Sequence, residues 1–539
     1  MNFSRTFFFG SILLLTLLIG AVAGTMYTRY QYTTYLEQHS PQMFAATGKG
    51  NKMNEVIGTI FANYVDTLNQ KQFQDDAISS ILSQLDPHSS YIPAEDIEKA
   101  NEDLVGSFDG VGIEFNLLND TIYVANVIPD GPSAKLGIQQ GDRIIAIQGE
   151  KVANIKIKND QIIKKLRGPK GSKVAVTILR RMGGKYTSLE YTISRGPITL
   201  HSIDAAYMLT PIIGYVKISN FGAKTYEDFM TSTQELKKQG MQKLVLDLRD
   251  NPGGYLNAAV QIADEFLENK KLIVYTKGNN HSEEKYDATG DLNTLENTKV
   301  AVLINESSAS ASEIVSGALQ DNDKGIIIGR RSFGKGLVQA EMPFSDGSAM
   351  RLTIARYYTP TGRCIQRPYE KGHTEEYYVD MIKRLESEDT INVSKIPDSL
   401  KFKTAKGKIV YGGGGITPDV KVKLDTNNRS RFLLEIYRNN VFNPFVYEYW
   451  DRNKATLQPK LQKPIDIYNL VDRETLWQEL LAYAASKKVV DNNKDAIRSK
   501  NLLIQRSYAQ LIRLKFGQKG YYQIENDIDP VVKKAIEVL

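Results

Sequence analysis

Cysteine and histidine are scarce in this sequence, and their scarcity excludes several kinds of site. The chain of 539 residues contains one cysteine, Cys364, which excludes an internal disulfide and any cysteine-rich zinc or iron–sulfur site. The five histidines lie far apart and form no His-Glu-x-x-His motif. A metal site built from histidine and carboxylates stays open as a minor alternative. Because the cysteine is single and the histidines are scattered, we predict no metal and no cofactor.

A large excess of charge of one sign is also missing. The 68 lysines and arginines face 62 aspartates and glutamates, and the net charge of +6 is too thinly spread to indicate nucleic-acid binding. Hydrophobic residues make up 42% and charged residues 24%, which excludes a disordered or collagen-like chain. At about 100–200 residues per domain, the length predicts three or four domains.

One long apolar run is present, from Phe7 to Ala23 behind Arg5. A helix of this length would be about 26 Å long, near the lower limit for crossing a bilayer. The small residues Ala21-Val22-Ala23 before Gly24 also fit a signal-peptide cleavage site. Residues 1–25 are thus either a signal peptide or a membrane anchor, and both remain open. Either way we expect export to the periplasm or cell envelope, with residues 7–23 as an inner-membrane anchor if uncleaved.

The spacing of apolar residues divides the rest of the chain into segments. Residues from about 51 to 101 and from about 431 onward are predicted to be helical. Between them lies a strand-rich module of about 90 residues, which begins near Gly110. From Ile213 strands alternate with helices, which predicts an α/β domain with a largely parallel sheet. The predicted strands there are Gly214–Ile218, Leu244–Leu248, Val300–Ile304 and Gly325–Gly329, and the predicted helices are Tyr226–Gln239, Leu256–Leu267 and Ala311–Leu319.

Three stretches of the α/β segment carry residues with potential chemistry. Residues 305–313, Asn-Glu-Ser-Ser-Ala-Ser-Ala-Ser-Glu, join a buried strand to a helix, where free backbone N–H groups suit an oxyanion. Taken alone, this stretch is better explained as a helix cap with small residues. The second stretch, Arg331–Gln339, places Lys335 between two glycines, and such a lysine is a base only if burial lowers its pKa. Gln339 would orient it if the backbone between them is helical.

The third stretch is Asp247-Leu248-Arg249-Asp250-Asn251-Pro252-Gly253-Gly254, a buried strand that ends in a turn. Paired glycines at a strand end allow backbone N–H groups to point into a crevice as further oxyanion donors. An ordinary strand-to-helix turn is the alternative.

Together these stretches resemble the carboxyl-terminal processing peptidases, or tail-specific proteases. Lys335 follows Ser310 by 25 positions, the serine–lysine separation of that family. The resemblance implies Ser310 as nucleophile, Lys335 as general base and Gln339 as its orienting residue. It also implies oxyanion donors at Gly253, Gly254 and Ala311. Leu85-Asp86-Pro87-His88-Ser89, Tyr357–Arg363 and Gly415–Asp419 are similar to other family motifs, and Asp321 lies at a family position with a structural role.

The strand-rich module then resembles a PDZ domain that binds substrate tails. The implied binding residues are Gly110, Val111, Gly112, Ile113, Phe115, Ile162 and Leu166, with Arg167 as a link between domains. The implied fold is a crotonase-like α/β serine-protease core with an inserted PDZ domain and helical ends. The domains are 1–25, the helical region 26–105, the PDZ domain 106–196, the peptidase core 197–425 and the helical region 426–539. The segment Gln366–Tyr411 is longer than the resemblance implies.

Four other functions are weaker. A Ser–His–Asp hydrolase is disfavoured because the three stretches contain no histidine, and Cys364 lacks a histidine partner to act as a nucleophile. A crotonase acting on acyl-CoA leaves the export segment and the serine–lysine pair unexplained. A non-catalytic PDZ scaffold is the main alternative to an exported endopeptidase. The expected partners are protein substrates with free C-termini, a second copy of the chain, and the membrane if residues 7–23 are kept.

Overall fold

The structure is a computed structural model with two compact units, Met1–Ala77 and Ile78–Leu539. It describes residues 52–182, 185–291, 293–386, 396–491 and 495–539. In the first unit, helix α1 (Lys52–Asn63) and the start of helix α2 (Gln70–Ser83) confirm the predicted helices. The apolar run of residues 7–23 lies outside the described residues. Across the described ranges, no helix is long and apolar enough to cross a membrane.

A short strand and a helix follow α2. The helical stretch breaks after α2, and helix α3 (Ile97–Val105) begins after Pro93 and one turn of 3₁₀ helix. Between them, strand β1 (Ser90–Ile92) was not predicted. It pairs with a strand more than 250 positions later, and three residues carry no periodicity that could show this.

The predicted strand-rich module is present as a six-stranded sheet with two helices and a separate two-stranded sheet. Its ends are brought together by the antiparallel pair β2–β9, so the module is an insertion with neighbouring entry and exit. Strand β3 lies at the edge of its sheet, whose order is β3-β4-β5-β7-β8, with β6 on β5. The elements are β2 (Ser107–Gly110), β3 (Ile113–Leu118), β4 (Thr121–Val127), α4 (Pro132–Lys135), β5 (Arg143–Ile147), β6 (Glu150–Lys151), α5 (Asn159–Leu166), β7 (Lys173–Met182), β8 (Lys185–Ser194) and β9 (Gly196–Thr199).

A six-stranded sheet forms the centre of the α/β domain. Its order is β10-β11-β12-β15-β16-β21, and all neighbours are parallel except β10 and β11, which confirms the predicted sheet. The strands are β10 (Ile203–Met208), β11 (Ile213–Ile218), β12 (Lys243–Asp247), β15 (Lys299–Ile304), β16 (Gly325–Gly329) and β21 (Val420–Lys421), and the helices are α6 (Thr225–Lys238), α7 (Leu256–Asp264) and α8 (Ala311–Asp321). Because β12 and β15 run parallel and in register, the loops after them emerge side by side.

A smaller, antiparallel sheet packs over α7 and α8. It consists of β1, β13 (Leu272–Lys277), β14 (Glu284–Asp287), β17 (Leu337–Pro343) and β18 (Ala349–Tyr358). One hydrophobic cluster joins this sheet, the two helices and one face of the large sheet. The segment that follows contains helix α9 (Thr374–Glu386) and the hairpin β19 (Lys401–Lys403) and β20 (Ile409–Tyr411).

The C-terminal part is helical, as predicted. Its helices are α10 (Arg431–Arg438), α11 (Phe442–Lys460), α12 (Ile467–Leu470), α13 (Arg473–Ser486), α14 (Ala496–Glu525) and α15 (Pro530–Val538). The last helix is part of the α/β domain, because Val531, Val532 and Ala535 of α15 cover the second face of the large sheet. The last described helix thus completes the packing around the large sheet.

Candidate active site

Ser310 lies at the first turn of α8, after the loop that follows β15. Its backbone has a φ of 54° and a ψ of −113°, which side-chain-bearing residues seldom adopt. Such strain costs about 1–3 kcal/mol and is retained mainly at functional sites. The side chain is half-exposed at the N-terminus of a buried helix. This geometry suits a nucleophile.

The turn after β12 packs directly against Ser310. A Cβ added at Gly253 would lie 2.7 Å from the Cβ of Ser310, so only glycine allows this approach. The N–H of Gly253 donates to Oδ1 of Asn251 at 2.9 Å and is therefore engaged. For the N–H groups of Gly254 and Ala311, no acceptor occurs among the described residues. Of the three predicted oxyanion donors, these two remain available in this conformation.

Lys335 follows β16 on a loop that passes close to the start of α8. Its Nζ donates to Oε1 of Gln339 at 2.7 Å. Burial lowers the pKa of Lys335, and the positive charge of Arg351 lowers it further, whereas Glu313 and Asp86 act in the opposite direction. A lowered lysine pKa is the property that a general base requires.

Glu313 joins the two loops, a role that was not predicted from the sequence. Its Oε2 accepts the backbone N–H of Ser310 and the backbone N–H of Lys335, each at 2.9 Å. Its Oε1 accepts the N–H of Gly334 at 2.7 Å and the hydroxyl of Ser332 at 2.5 Å. The side chain is fully buried, and burial raises its pKa despite these donors. The pattern Ser-x-x-Glu at a helix start, which is typical of a capping box, was the available signal.

Gln339 reaches Lys335, although the backbone between them is not helical. It lies in strand β17, where the register shifts between Val338 and Gln339. The amide Nε2 of Gln339 donates to the backbone oxygen of His88 at 2.5 Å. The stretches around Ser310 and Lys335 contain no histidine, yet the fold brings His88 to them. Burial and the charge of Lys335 lower the pKa of the His88 ring to about 4, so the ring is neutral.

Two further side chains stabilise the elements that carry Ser310 and Lys335. The hydroxyl of Tyr357 lies 2.7 Å from the carbonyl oxygen of Lys335 and 3.2 Å from that of Ser310. At the far end of α8, Asp321 forms a buried ion pair with Arg363 at 2.6 Å. The contact is consistent with the structural role expected for Asp321.

The PDZ-like module has a groove of about 350 Å³ between β3 and α5. Gly110, Val111, Gly112, Ile113, Phe115, Leu166 and Arg167, all predicted from the sequence, line it. Since β3 is an edge strand, its backbone can pair with an added peptide strand. The groove can therefore hold an extended peptide end.

The predicted groove residue Ile162 faces elsewhere. It is fully buried in the core of the module, and its neighbour Ile163 lines the groove instead. Successive residues on a helix point about 100° apart, so two adjacent isoleucines cannot face the same side. The sequence contained both residues, and only the packing of α5 against the sheet separated them.

Arg167 connects α5 to α3. Its guanidinium pairs with Glu102 and lies 4.2 Å from the ring centre of Phe108. Helix α3 in turn contacts β18, where Arg351 donates to Oδ1 of Asn101 at 2.6 Å. The link from the groove to the domain that contains Ser310 and Lys335 therefore passes through α3.

Comparison with known proteins follows the same division of the chain. A family model described as peptidase family S41 matches residues 212–377, and a PDZ domain model matches residues 102–179. The carboxy-terminal-processing protease of Bartonella bacilliformis is 37% identical over 340 residues, which cover 62% of this chain and 75% of that protein. This chain belongs to the carboxy-terminal processing proteases of peptidase family S41. It is therefore a serine-type peptidase with a PDZ domain.

Other similar proteins carry related names. The carboxy-terminal processing protease CtpB of Bacillus subtilis is 32% identical over 351 residues, which cover 63% of this chain and 72% of that protein. The solved structure of a photosystem II D1 C-terminal processing protease is 26% identical with a TM-score of 0.34, and covers 69% of this chain and 93% of that chain. Residues 432–517 match a family of unknown function (DUF8443).

Two chemical alternatives raised by the sequence have little support in this peptidase. Within the described ranges, Glu370, His373 and Glu376 are the one group of side chains close enough together to hold a metal ion, and all three are exposed. Exposed groups of this kind are common without an ion. Burial raises the pKa of the Cys364 thiol, which disfavours the thiolate that a cysteine nucleophile needs.

Proposed function

We propose that this peptidase is an exported endopeptidase with a serine–lysine dyad, which recognises substrate tails through its PDZ domain. Ser310 attacks the scissile carbonyl while neutral Lys335 takes the hydroxyl proton and passes it to the leaving amine. Lys335 then activates the water that hydrolyses the acyl-enzyme. The N–H groups of Gly254 and Ala311 stabilise the oxyanion, and Gln339 orients the lysine.

The observation that carries this proposal is the carboxylate of Glu313. One of its oxygens accepts the backbone N–H groups of both Ser310 and Lys335, so the nucleophile and base are held close together. The strained backbone of Ser310 and the lowered pKa of Lys335 fit the same roles. A scaffold without catalysis would need neither property.

The direct test is cleavage of an unfolded protein by the purified chain. The wild type is expected to cut the protein and to react covalently with a serine-directed phosphonate. Ser310→Ala is expected to lose both activities, because it lacks the nucleophilic oxygen. Cleavage by Ser310→Ala at the wild-type rate would exclude Ser310 as the nucleophile.

Tail recognition predicts that a free substrate carboxylate accelerates cleavage. Amidating the substrate's C-terminus removes the charge that the Gly110–Ile113 loop would bind. Hydrogen bonds to a charged group contribute about 1.5–3 kcal/mol, so kcat/KM should fall roughly 10- to 100-fold. The measurement compares matched peptides with a free or an amidated end.

The groove residues provide a control for this result. In Ile163→Ala, which widens the groove, the free acid and the amide should be cleaved at more similar rates. Equal rates for the two peptides with the wild type would contradict recognition of the carboxylate.

Export is proposed from the apolar run of residues 7–23. A reporter that is active only outside the cytoplasm, fused after residue 60, should be active, and deleting residues 7–23 should abolish that activity. N-terminal sequencing of the mature chain then distinguishes cleavage after Ala23 from a retained anchor. A reporter that works equally well without residues 7–23 would refute this segment as the export signal.

A further inference from the structure

Helix α9 belongs to the segment that is longer than the family resemblance implies, and it packs against the loop of Lys335. Its Tyr377 is the last residue of the peptidase family match and is 5% exposed. The ring lies edge-on to the ring of His88 at 5.4 Å, and the guanidinium of Arg367 lies 3.9 Å from its centre. The tyrosine is thus fixed on two sides, beside a residue of the candidate site.

The hydroxyl of Tyr377 takes part in two hydrogen bonds. It accepts Nε2 of Gln366 at 3.3 Å, and it lies 3.3 Å from Nε2 of His88. Because the amide of Gln366 donates, the single hydroxyl hydrogen is free to point at His88. The neutral ring of His88 can accept it, since the pKa of the ring is lowered to about 4.

These bonds continue on both sides to Lys335. On one side, Gln366 accepts the N–H of Gly336, the residue after the lysine, at 2.8 Å. On the other side, the backbone oxygen of His88 accepts the amide of Gln339, whose oxygen accepts Nζ of Lys335 at 2.7 Å. The result is a closed ring of contacts, with the lysine at one point and Tyr377 opposite.

We propose that Tyr377 is a positioning residue for the base of the peptidase. Its hydroxyl holds His88 in place, the carbonyl of His88 holds the amide of Gln339, and Gln339 directs Nζ of Lys335 toward Ser310. Tyr377 contacts neither the reacting atoms nor Lys335. This inference rests on the proposed serine–lysine dyad.

The neighbouring Tyr378 provides a matched control on the same helix. Its side chain is exposed, and its hydroxyl is 3.4 Å from the carbonyl oxygen of Pro87, at the limit of a hydrogen bond. Tyr377→Phe and Tyr378→Phe each remove one oxygen and keep the ring. Tyr377→Phe therefore removes a hydroxyl that belongs to the closed set of contacts around Lys335, and Tyr378→Phe removes one that does not.

In the full chain, Tyr377→Phe is expected to lower kcat roughly 5- to 50-fold with KM unchanged. The reason is that the buried Nε2 of His88 loses its hydrogen-bond partner, so His88 no longer holds Gln339 and Lys335 in place. Tyr378→Phe should stay within twofold of the wild type. The acid limb of the kcat profile should move to lower pH in Tyr377→Phe, since a loosened Gln339 stabilises the protonated lysine less. The other charges facing Lys335 come from Arg351, Glu313 and Asp86, and neither variant alters them.

A second variant tests the same contact from its other side. His88→Phe keeps the backbone carbonyl and an aromatic ring but loses the nitrogen acceptor, so it should match the loss of Tyr377→Phe. The double variant should lose no more kcat than the worse single variant, because both changes break one contact. Losses that multiply, or equal kcat values for Tyr377→Phe and Tyr378→Phe, would overturn the inference.

Ser310→Ala and Lys335→Arg separate this inference from the proposed function. If both are inactive while Tyr377→Phe matches Tyr378→Phe, only the role of Tyr377 is wrong. If either retains wild-type turnover, the dyad itself is wrong, and the role of Tyr377 fails with it.

Discussion

Lys335→Arg is expected to lose peptide cleavage by a factor of about 10²–10⁴, the usual contribution of a general base. Arginine keeps the positive charge and much of the length of lysine. Its pKa lies above about 12, so it supplies no neutral base at any pH where the protein is folded. The loss should appear in kcat, measured with a fluorogenic peptide at saturating concentration.

A lysine elsewhere in the peptidase domain provides the matched control. Lys324 is half-buried, and burial lowers its pKa, yet it donates to the carbonyl of Glu296 and lies outside the site. Lys324→Arg should keep activity within twofold of the wild type. Turnover near the wild-type level by a folded Lys335→Arg protein would exclude Lys335 as the base.

The same lysine predicts how activity depends on pH. Its pKa is lowered from 10.5, so the neutral, active form is gained as pH rises through that lowered value. The rate should therefore increase with pH and level off above it. His88 is already neutral above about pH 5, because its pKa is lowered to about 4, and it cannot account for a limb at higher pH. A kcat profile that falls as pH rises from 6 to 9 would contradict a lysine base.

Glu313→Gln is expected to reduce kcat at least about 100-fold, since a misplacement of about 1 Å at a reacting group can cost that much. The carboxylate accepts four hydrogen bonds from the two loops. An amide keeps one acceptor oxygen and places an NH₂ group against the remaining donors, so the loops must separate. Each donor left unpaired costs about 1–3 kcal/mol, so the urea midpoint of unfolding should also fall.

Glu306→Gln is the matched control for this change. Glu306 lies in the loop before α8 and pairs at 2.8 Å with Arg330, at the start of the loop that carries Lys335, but it accepts none of the four donors bound to Glu313. It should lose some stability and keep its kcat. If Glu313→Gln kept wild-type kcat, the shared carboxylate would not be what fixes the position of Ser310 relative to Lys335.

The sequence determined the features that depend on local pattern. Strand and helix periodicities placed four of the six strands of the large sheet, β11, β12, β15 and β16, and its helices, because each buries one face or both faces in a regular repeat. The spacing between Ser310 and Lys335 matched a known family and picked out one serine among several. The loop Gly110–Ile113 was identified in the same way, because its residues resemble the carboxylate-binding loop of a PDZ domain.

The tertiary structure decided which distant residues meet. Glu313 belongs to the stretch 305–313 that the sequence singled out, but only the fold shows that its carboxylate also binds the loop of Lys335. His88 and Tyr377 are 289 positions apart and have no pattern in common, yet their side chains meet beside Lys335. Which of two adjacent isoleucines lines the PDZ groove depended on how α5 sits on its sheet. Periodicity reports what a segment buries, whereas contacts between segments depend on how the whole chain packs.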